Sequence, residues 1–191
     1  MRIFLAGATG VIGVRLVPLL VAAGHTIGGL TRREAGGAAL RVLGAEPFVG
    51  DVYDRGWLRA AVTDFAAEVV LHELTDLPDE RAEIASYASA NARIRLEGTR
   101  NLLDAAQAAG AARFLAQRIA WTPPGDGGVT GEFEAMVLAA GGVVLRYGQL
   151  YGPGTYFPEA PPPRIHADAA AARTVALLGA PSGVVTLTEE G

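Results

Sequence analysis

Short apolar runs alternate along this chain with longer stretches in which apolar residues return every three or four positions. The runs at 3–6, 26–30, 46–49, 69–71, 113–117, 143–146 and 184–187 have strand length. Residues 69–71, Val-Val-Leu, are apolar without a break, the pattern of a strand covered on both faces. The stretches at 14–21, 36–43, 55–63, 79–110, 132–140 and 167–178 carry helical periodicity. The longest, 79–110, reads as one helix broken at most near its start. Its inward face is Ile84, Tyr87, Asn91, Ile94, Gly98, Leu102, Ala105 and Ala109. Asn91 is the polar member of that stripe, so it needs either a structural hydrogen-bond partner or a ligand. Residues 148–163 are rich in glycine and proline and are expected to be irregular. Strands that alternate with helices throughout predict an α/β protein of the Rossmann type, a doubly wound parallel sheet, in one domain over residues 1–191.

The first strand runs directly into Gly7, Gly10 and Gly13, and the first amphipathic stretch follows. A dinucleotide-binding turn needs glycines at such spacing. One allows a tight turn, one lets the backbone meet a diphosphate, and one lets the helix pack close to the strand. Thr9, Val11 and Ile12 complete the loop, whose N–H groups would face the anion at a helix start. The alternative is a glycine-rich turn with no ligand, as in any parallel α/β protein.

After the second strand come Thr31, Arg32 and Arg33. Arginine there suits the 2′-phosphate of NADP(H), where an acidic residue would suit NAD(H). NADP(H) is therefore the preferred cofactor, with NAD(H) still open, and solvated loop charges are the plain alternative. Asp51, after Gly50, either meets an adenine or caps the helix at 55–63. His72 and Leu74 follow the fourth strand at the ligand-binding edge of the sheet, where His72 is either a ligand contact or a structural histidine.

Composition narrows the function. Half the residues are apolar and 19% are charged, which describes a folded chain, and the net charge of −4 offers no footprint for nucleic acid. There is no cysteine, and His25, His72 and His166 lie far apart, so no metal site is expected. No apolar run nears the ~20 residues that span a bilayer, and Met1 opens on a strand, which leads to the expectation of a cytoplasmic protein without membrane contact. All sixteen basic residues are arginine.

The segments Gly7-Ala8-Thr9-Gly10-Val11-Ile12-Gly13, Gly50-Asp51, Asn91 with Glu97-Gly98-Thr99, Leu145-Arg146-Tyr147-Gly148, Tyr151-Gly152-Pro153-Gly154 and Ile165-His166-Ala167-Asp168 resemble the extended short-chain dehydrogenase/reductase family. The likeness is to its NAD(P)-dependent epimerase/dehydratase branch. The resemblance implies a Rossmann core, with Leu74 and Asn91 beside the cofactor. It also implies a small-molecule substrate, a nucleotide sugar or another hydroxyl/carbonyl compound. The Tyr-x-x-x-Lys dyad of that family is absent, since the chain has no lysine, and 116–120 read Ala-Gln-Arg-Ile-Ala where a serine or threonine is usual. Residues 151–191 then stand for a reduced substrate-binding part. The chain is either a pared-down relative or lacks segments its relatives carry. Tyr151, His72 and Arg118 remain as candidate acid/base groups, each with a structural reading beside it. Three functions stay open: an NADP(H)-dependent oxidoreductase or epimerase with slow or absent turnover, a non-catalytic NADP(H)-binding sensor or partner protein, and a scaffold whose cofactor site is vestigial. The helices at 79–110 and 132–140 offer either a homodimer face or part of the monomer core.

Overall fold

A computed structural model describes residues 1–189. Seven parallel strands form the main sheet: β1 (Arg2–Ala6), β2 (Thr26–Thr31), β3 (Glu46–Val49), β4 (Val69–His72), β5 (Arg113–Ile119), β6 (Val143–Tyr147) and β9 (Gly183–Leu187). Their spatial order is β3-β2-β1-β4-β5-β6-β9. Strand order reverses between β1 and β4, and that reversal opens a crevice at the carboxyl edge of the sheet, the ligand site of open α/β folds. The seven strands of the main sheet are parallel, so residues at the ends of β1, β2 and β4 share this edge.

Alternate residues of each strand enter opposite layers. Ile3 and Leu5 join Leu16, Val17 and Leu20 of α1 (Gly13–Ala22) and Ala170 and Ala171 of α7 (Ala167–Ala176). Phe4 and Ala6 join the other layer, built on α3 (Arg55–Asp64), α5 (Thr99–Ala109) and α6 (Val129–Ala139). There Phe4, Phe48 and Phe65 meet with ring centroids 5.3 to 6.1 Å apart, two of the pairs edge-on. A shorter helix, α2 (Glu34–Val42), covers β2 and β3.

Three expectations are corrected. The stretch at 79–110 is a chain of turns, not one regular helix. It consists of a 3-10 segment at Arg81–Tyr87, α4 (Ala88–Arg93), a π turn at Ile94–Gly98, and α5. A 3-10 turn holds three residues against α's 3.6, so the stripe does not stay inward through the 3-10 segment. Ile84 and Tyr87 are accordingly 36% and 37% exposed, while Ile94, Leu102 and Ala105 are buried. Second, the glycine- and proline-rich stretch contains β7 (Gln149–Tyr151), which pairs in parallel with β8 (Arg164–His166) in a small separate sheet. Third, Asp54, not Asp51, caps α3 by accepting the Trp57 N–H at 3.0 Å. Asp51 instead accepts the Tyr53 N–H at 3.0 Å within the loop.

Candidate functional site

The loop between β1 and α1 forms the floor of the crevice. Gly7 has φ +93°, a conformation that strains any side chain, and a Cβ there would stand 2.7 Å from the Glu73 carbonyl carbon. At Gly13 a Cβ would come within 2.1 Å of the Gly7 carbonyl oxygen, so only glycine lets α1 lie this close to the turn. Gly10 is different: beyond the Gly7 oxygen at 3.3 Å, nothing approaches its Cβ position. Its open side leaves room for a ligand against bare backbone. No residue side chain caps α1, and its first turn holds no acidic residue. Among the described residues no carbonyl receives the N–H groups of Val11 and Ile12. Free N–H groups and a positive helix end with no acidic residue in its own first turn fit a diphosphate.

Arg15 ties this loop to the rest of the edge. Its guanidinium donates to the Val11 carbonyl at 2.7 Å, to Asp168 at 2.6 Å and to the Pro153 carbonyl at 2.5 Å. The loop thus has a fixed seat against α7 and the small sheet.

On the β2 side, Thr9 packs near Thr31 at the foot of α2, where a Cβ on Gly36 would contact both. Arg32 and Arg33 are exposed, and Arg33 forms the helix start with its N–H 3.4 Å from Thr31 Oγ1. Arg32 reaches across the crevice to Asp76 at 3.8 Å, with 62% of its side chain exposed. Asn91 Oδ1 accepts the Asp76 N–H at 3.4 Å, a long bond that ties Asn91 to the loop after β4. Leu74 lies against Gly7, and its N–H donates to His72 Nδ1 at 3.2 Å.

The three candidate acid/base groups occupy separate places, and none meets another. His72 is fully buried. Since Nδ1 accepts the Leu74 N–H, Nε2 carries the proton and donates to Thr99 Oγ1 at 3.0 Å. Burial, assisted by the Arg95 cation, lowers its pKa to about 3, so it stays neutral and structural. Arg118 is held by Glu134 at 2.5 Å and by the carbonyls of Ile119 and Trp121. Glu134 also takes two hydrogen bonds from Arg146, at 2.7 and 2.8 Å. The Arg146 bonds and the Arg118 bond hold the Glu134 carboxyl below the usual carboxylate range. Tyr151 stands in the small sheet with its hydroxyl donated to Glu189 and its ring edge-on to His166 at 5.1 Å. That hydroxyl is therefore committed to the Glu189 carboxylate.

A buried cluster that the pattern of letters did not single out lies at the same edge. The Glu73 carboxyl and the Tyr147 hydroxyl are 3.1 Å apart, and Tyr147 Oη is 2.6 Å from Thr174 Oγ1. Burial lifts the Glu73 pKa to about 8, against the opposing pull of Tyr147 and Arg95. Arg95, from the π turn, donates to the Gln117 carbonyl and lies over the Phe133 ring at 5.2 Å. Among the described residues no cluster of histidine and carboxylate groups could hold a metal ion, and no helix is long and apolar enough to cross a membrane.

Comparison with known proteins adds independent findings. Residues 3–117 match the family described as the NAD dependent epimerase/dehydratase family. A 3-diazoavenalumate denitrifying reductase from a Streptomyces species is 40% identical over 181 residues, covering 81% of this chain and 58% of that protein. The chain thus spans little more than half the length of that relative. Among solved structures, UDP-glucose 4-epimerase of Thermus thermophilus in complex with NAD superposes over 98% of this chain and 78% of its own. Its TM-score is 0.81, at 18% identity. The anaerobillin reductase ChuY of Escherichia coli O157:H7 matches over 99% of this chain and 97% of its own, with a TM-score of 0.75 and 17% identity. Both structural likenesses concern the fold.

Proposed function

Since the chain belongs to the NAD dependent epimerase/dehydratase family, we propose that it is an NADP(H)-dependent reductase that passes hydride to a small organic substrate. The observation that carries this is the glycine cradle, which is closed at Gly7 and Gly13 and open at Gly10. Gly7, Thr9, Gly10, Val11, Ile12 and Gly13 would hold the diphosphate, and Arg32 with Arg33 the 2′-phosphate. Asp51, Leu74 and Asn91 would line the adenosine side and the crevice wall. The cofactor supplies the hydride, and the protein supplies position and charge. NAD(H) would use the same cradle without the phosphate contact.

Reduction is favoured over epimerisation by the Streptomyces relative, itself named a reductase. Its name gives a diazo compound as substrate, and a carbonyl or diazo group is the electrophile we assign to this chain. A hydroxyl/carbonyl group on a nucleotide sugar is the wider class. Residues 151–191 serve as the reduced substrate part of a single domain. A cytoplasmic location and a homodimer through α5 and α6 belong to the same proposal. One observation favours a second reading, a non-catalytic NADP(H)-binding module: without lysine the chain cannot form the usual dyad.

The test is a fluorescence titration of NADPH into the wild-type chain and Gly10→Val. A branched side chain at Gly10 would occupy the space of the diphosphate. Tight binding by the wild type and loss of at least about a hundredfold in the variant, with unchanged circular dichroism, is the expected result. Undiminished binding by Gly10→Val refutes the cradle.

A further inference from the structure

The Glu73–Tyr147–Thr174 cluster has no part in the binding just proposed, yet it sits beside it. Glu73 comes one residue after His72, so its side chain leaves the sheet on the opposite face. It is 7% exposed, and its Oε2 atom is buried with no hydrogen-bond partner. A buried acceptor without a partner is costly, and a ligand that arrives at the crevice can supply one.

Burial sets the state of the carboxyl. The Tyr147 hydroxyl donates to Glu73 Oε1 at 3.1 Å, which favours the ionised form, and Thr174 donates to the Ala170 carbonyl at 2.8 Å. Either hydroxyl can bridge the 2.6 Å between Tyr147 and Thr174. The Tyr147 bond to Glu73 leaves Oε2 without a partner, and burial outweighs that bond in favour of the neutral acid. The other charged or titratable neighbours are few. Tyr147, from β6, has its own pKa pushed up by burial; Arg95, from the π turn, is a cation; and His72 stays neutral. Thr174, from α7, does not titrate.

Position supplies the link to function. The Glu73 backbone touches Gly7 at the floor of the crevice. In a doubly wound sheet each half takes one nucleotide of a dinucleotide. Arg32 marks the β1–β3 half for the phosphorylated ribose, which gives the β4–β6 half, with Glu73, to the nicotinamide. Resting on that binding mode, we infer that Glu73 is a proton holder coupled to the redox state of the cofactor, neutral opposite the uncharged reduced ring and ionised opposite the cationic oxidised ring. The cause is Coulombic: a positive ring beside a carboxyl favours its charged form. In turnover, hydride leaves with its electron pair for the electrophilic atom of the substrate. The Glu73 proton goes to the substrate heteroatom that gains the charge, and solvent reprotonates the carboxylate.

The test measures binding, not turnover. NADPH and NADP+ are titrated into the wild-type chain and Glu73→Gln from about pH 6 to about pH 9. The 2′-phosphate is common to both ligands, so its own titration cancels in the ratio of their affinities. Between about pH 6 and 8 the wild-type ratio should move toward NADP+ by up to about tenfold per pH unit, and in Glu73→Gln it should stay flat. Calorimetry of the wild type in two buffers of different protonation enthalpy should register more proton release with NADP+ than with NADPH, the 2′-phosphate contribution being common to both. That measurement decides the matter even where the glutamine variant fails to fold. A pH-independent ratio with equal proton release for the two ligands overturns the inference. A chain that binds neither dinucleotide at any pH removes the underlying function instead, and the same titration separates the two outcomes.

Discussion

Glu134→Gln isolates the ion pair that holds Arg118. The substitution keeps the shape of the side chain and removes the charge shared by two guanidinium groups. Arg118 and Glu134 have side chains only 8% and 14% exposed, and Arg146 is 33% exposed. Removing one partner from a buried pair costs about 3–5 kcal/mol, because a charge is left behind in a poor solvent. Water can reach Arg146, and Arg118 keeps two backbone carbonyls, so the lower end, about 3 kcal/mol, applies. At this chain length each kcal/mol moves the melting temperature by about 2–4 °C, which gives a fall of roughly 6–12 °C. The sign of the pH dependence follows from the depressed carboxyl. Glu134 is more acidic folded than unfolded, so its contribution is complete above the unfolded value of about 4.3 and disappears as pH falls through the lower folded one. The gap between wild type and variant should therefore close in acid. Differential scanning calorimetry at pH 7 and in a descending pH series provides the measurement. A shift below about 3 °C at pH 7 would put the network on a par with surface ion pairs and return Arg118 to the candidate catalytic groups.

Two further outcomes follow from the same geometry. Arg32→Ala should weaken NADPH binding roughly tenfold and leave NADH binding nearly unchanged, since the Arg32–Asp76 contact is long and exposed; equal wild-type affinities for the two cofactors in fluorescence titrations would refute the 2′-phosphate assignment. His72, whose folded pKa of about 3 lies below its unfolded value, supports stability above about pH 6.5 and loses up to ~1.4 kcal/mol for each pH unit below it. His72→Asn should flatten that acid limb in thermal melts, and an unchanged limb would assign the acid sensitivity elsewhere.

The β1–glycine–α1 unit was legible in the letters because its determinants are local. An apolar run, three spaced glycines and a helical stripe lie within a few turns of chain, and at Gly7 and Gly13 close contacts leave no room for a side chain. Alternating strand and helix periods likewise implied the parallel sheet, since parallel neighbours need helical crossovers. Arg32 was legible for the same reason, as the residue just beyond a strand end. What the letters left open depends on pairing between distant segments. The stripe through 84–109 holds from Ile94 to Ala105 but fails at Ile84 and Tyr87, where a 3-10 segment changes the angular step, and only packing against the sheet reveals where that segment occurs. Tyr151 was placed at the ligand edge by its distance from β6, but β7 leaves the main sheet to pair with β8, and the hydroxyl turns to Glu189. Glu73 meets Tyr147 across 74 residues, and Tyr147 meets Thr174 across 27. Strand order brings β4 and β6 to either side of β5, and side-chain alternation sends Glu73 and His72 to opposite faces. No local period encodes either fact. The cradle is a property of consecutive residues. The buried carboxyl beside it exists only once the sheet has closed around it.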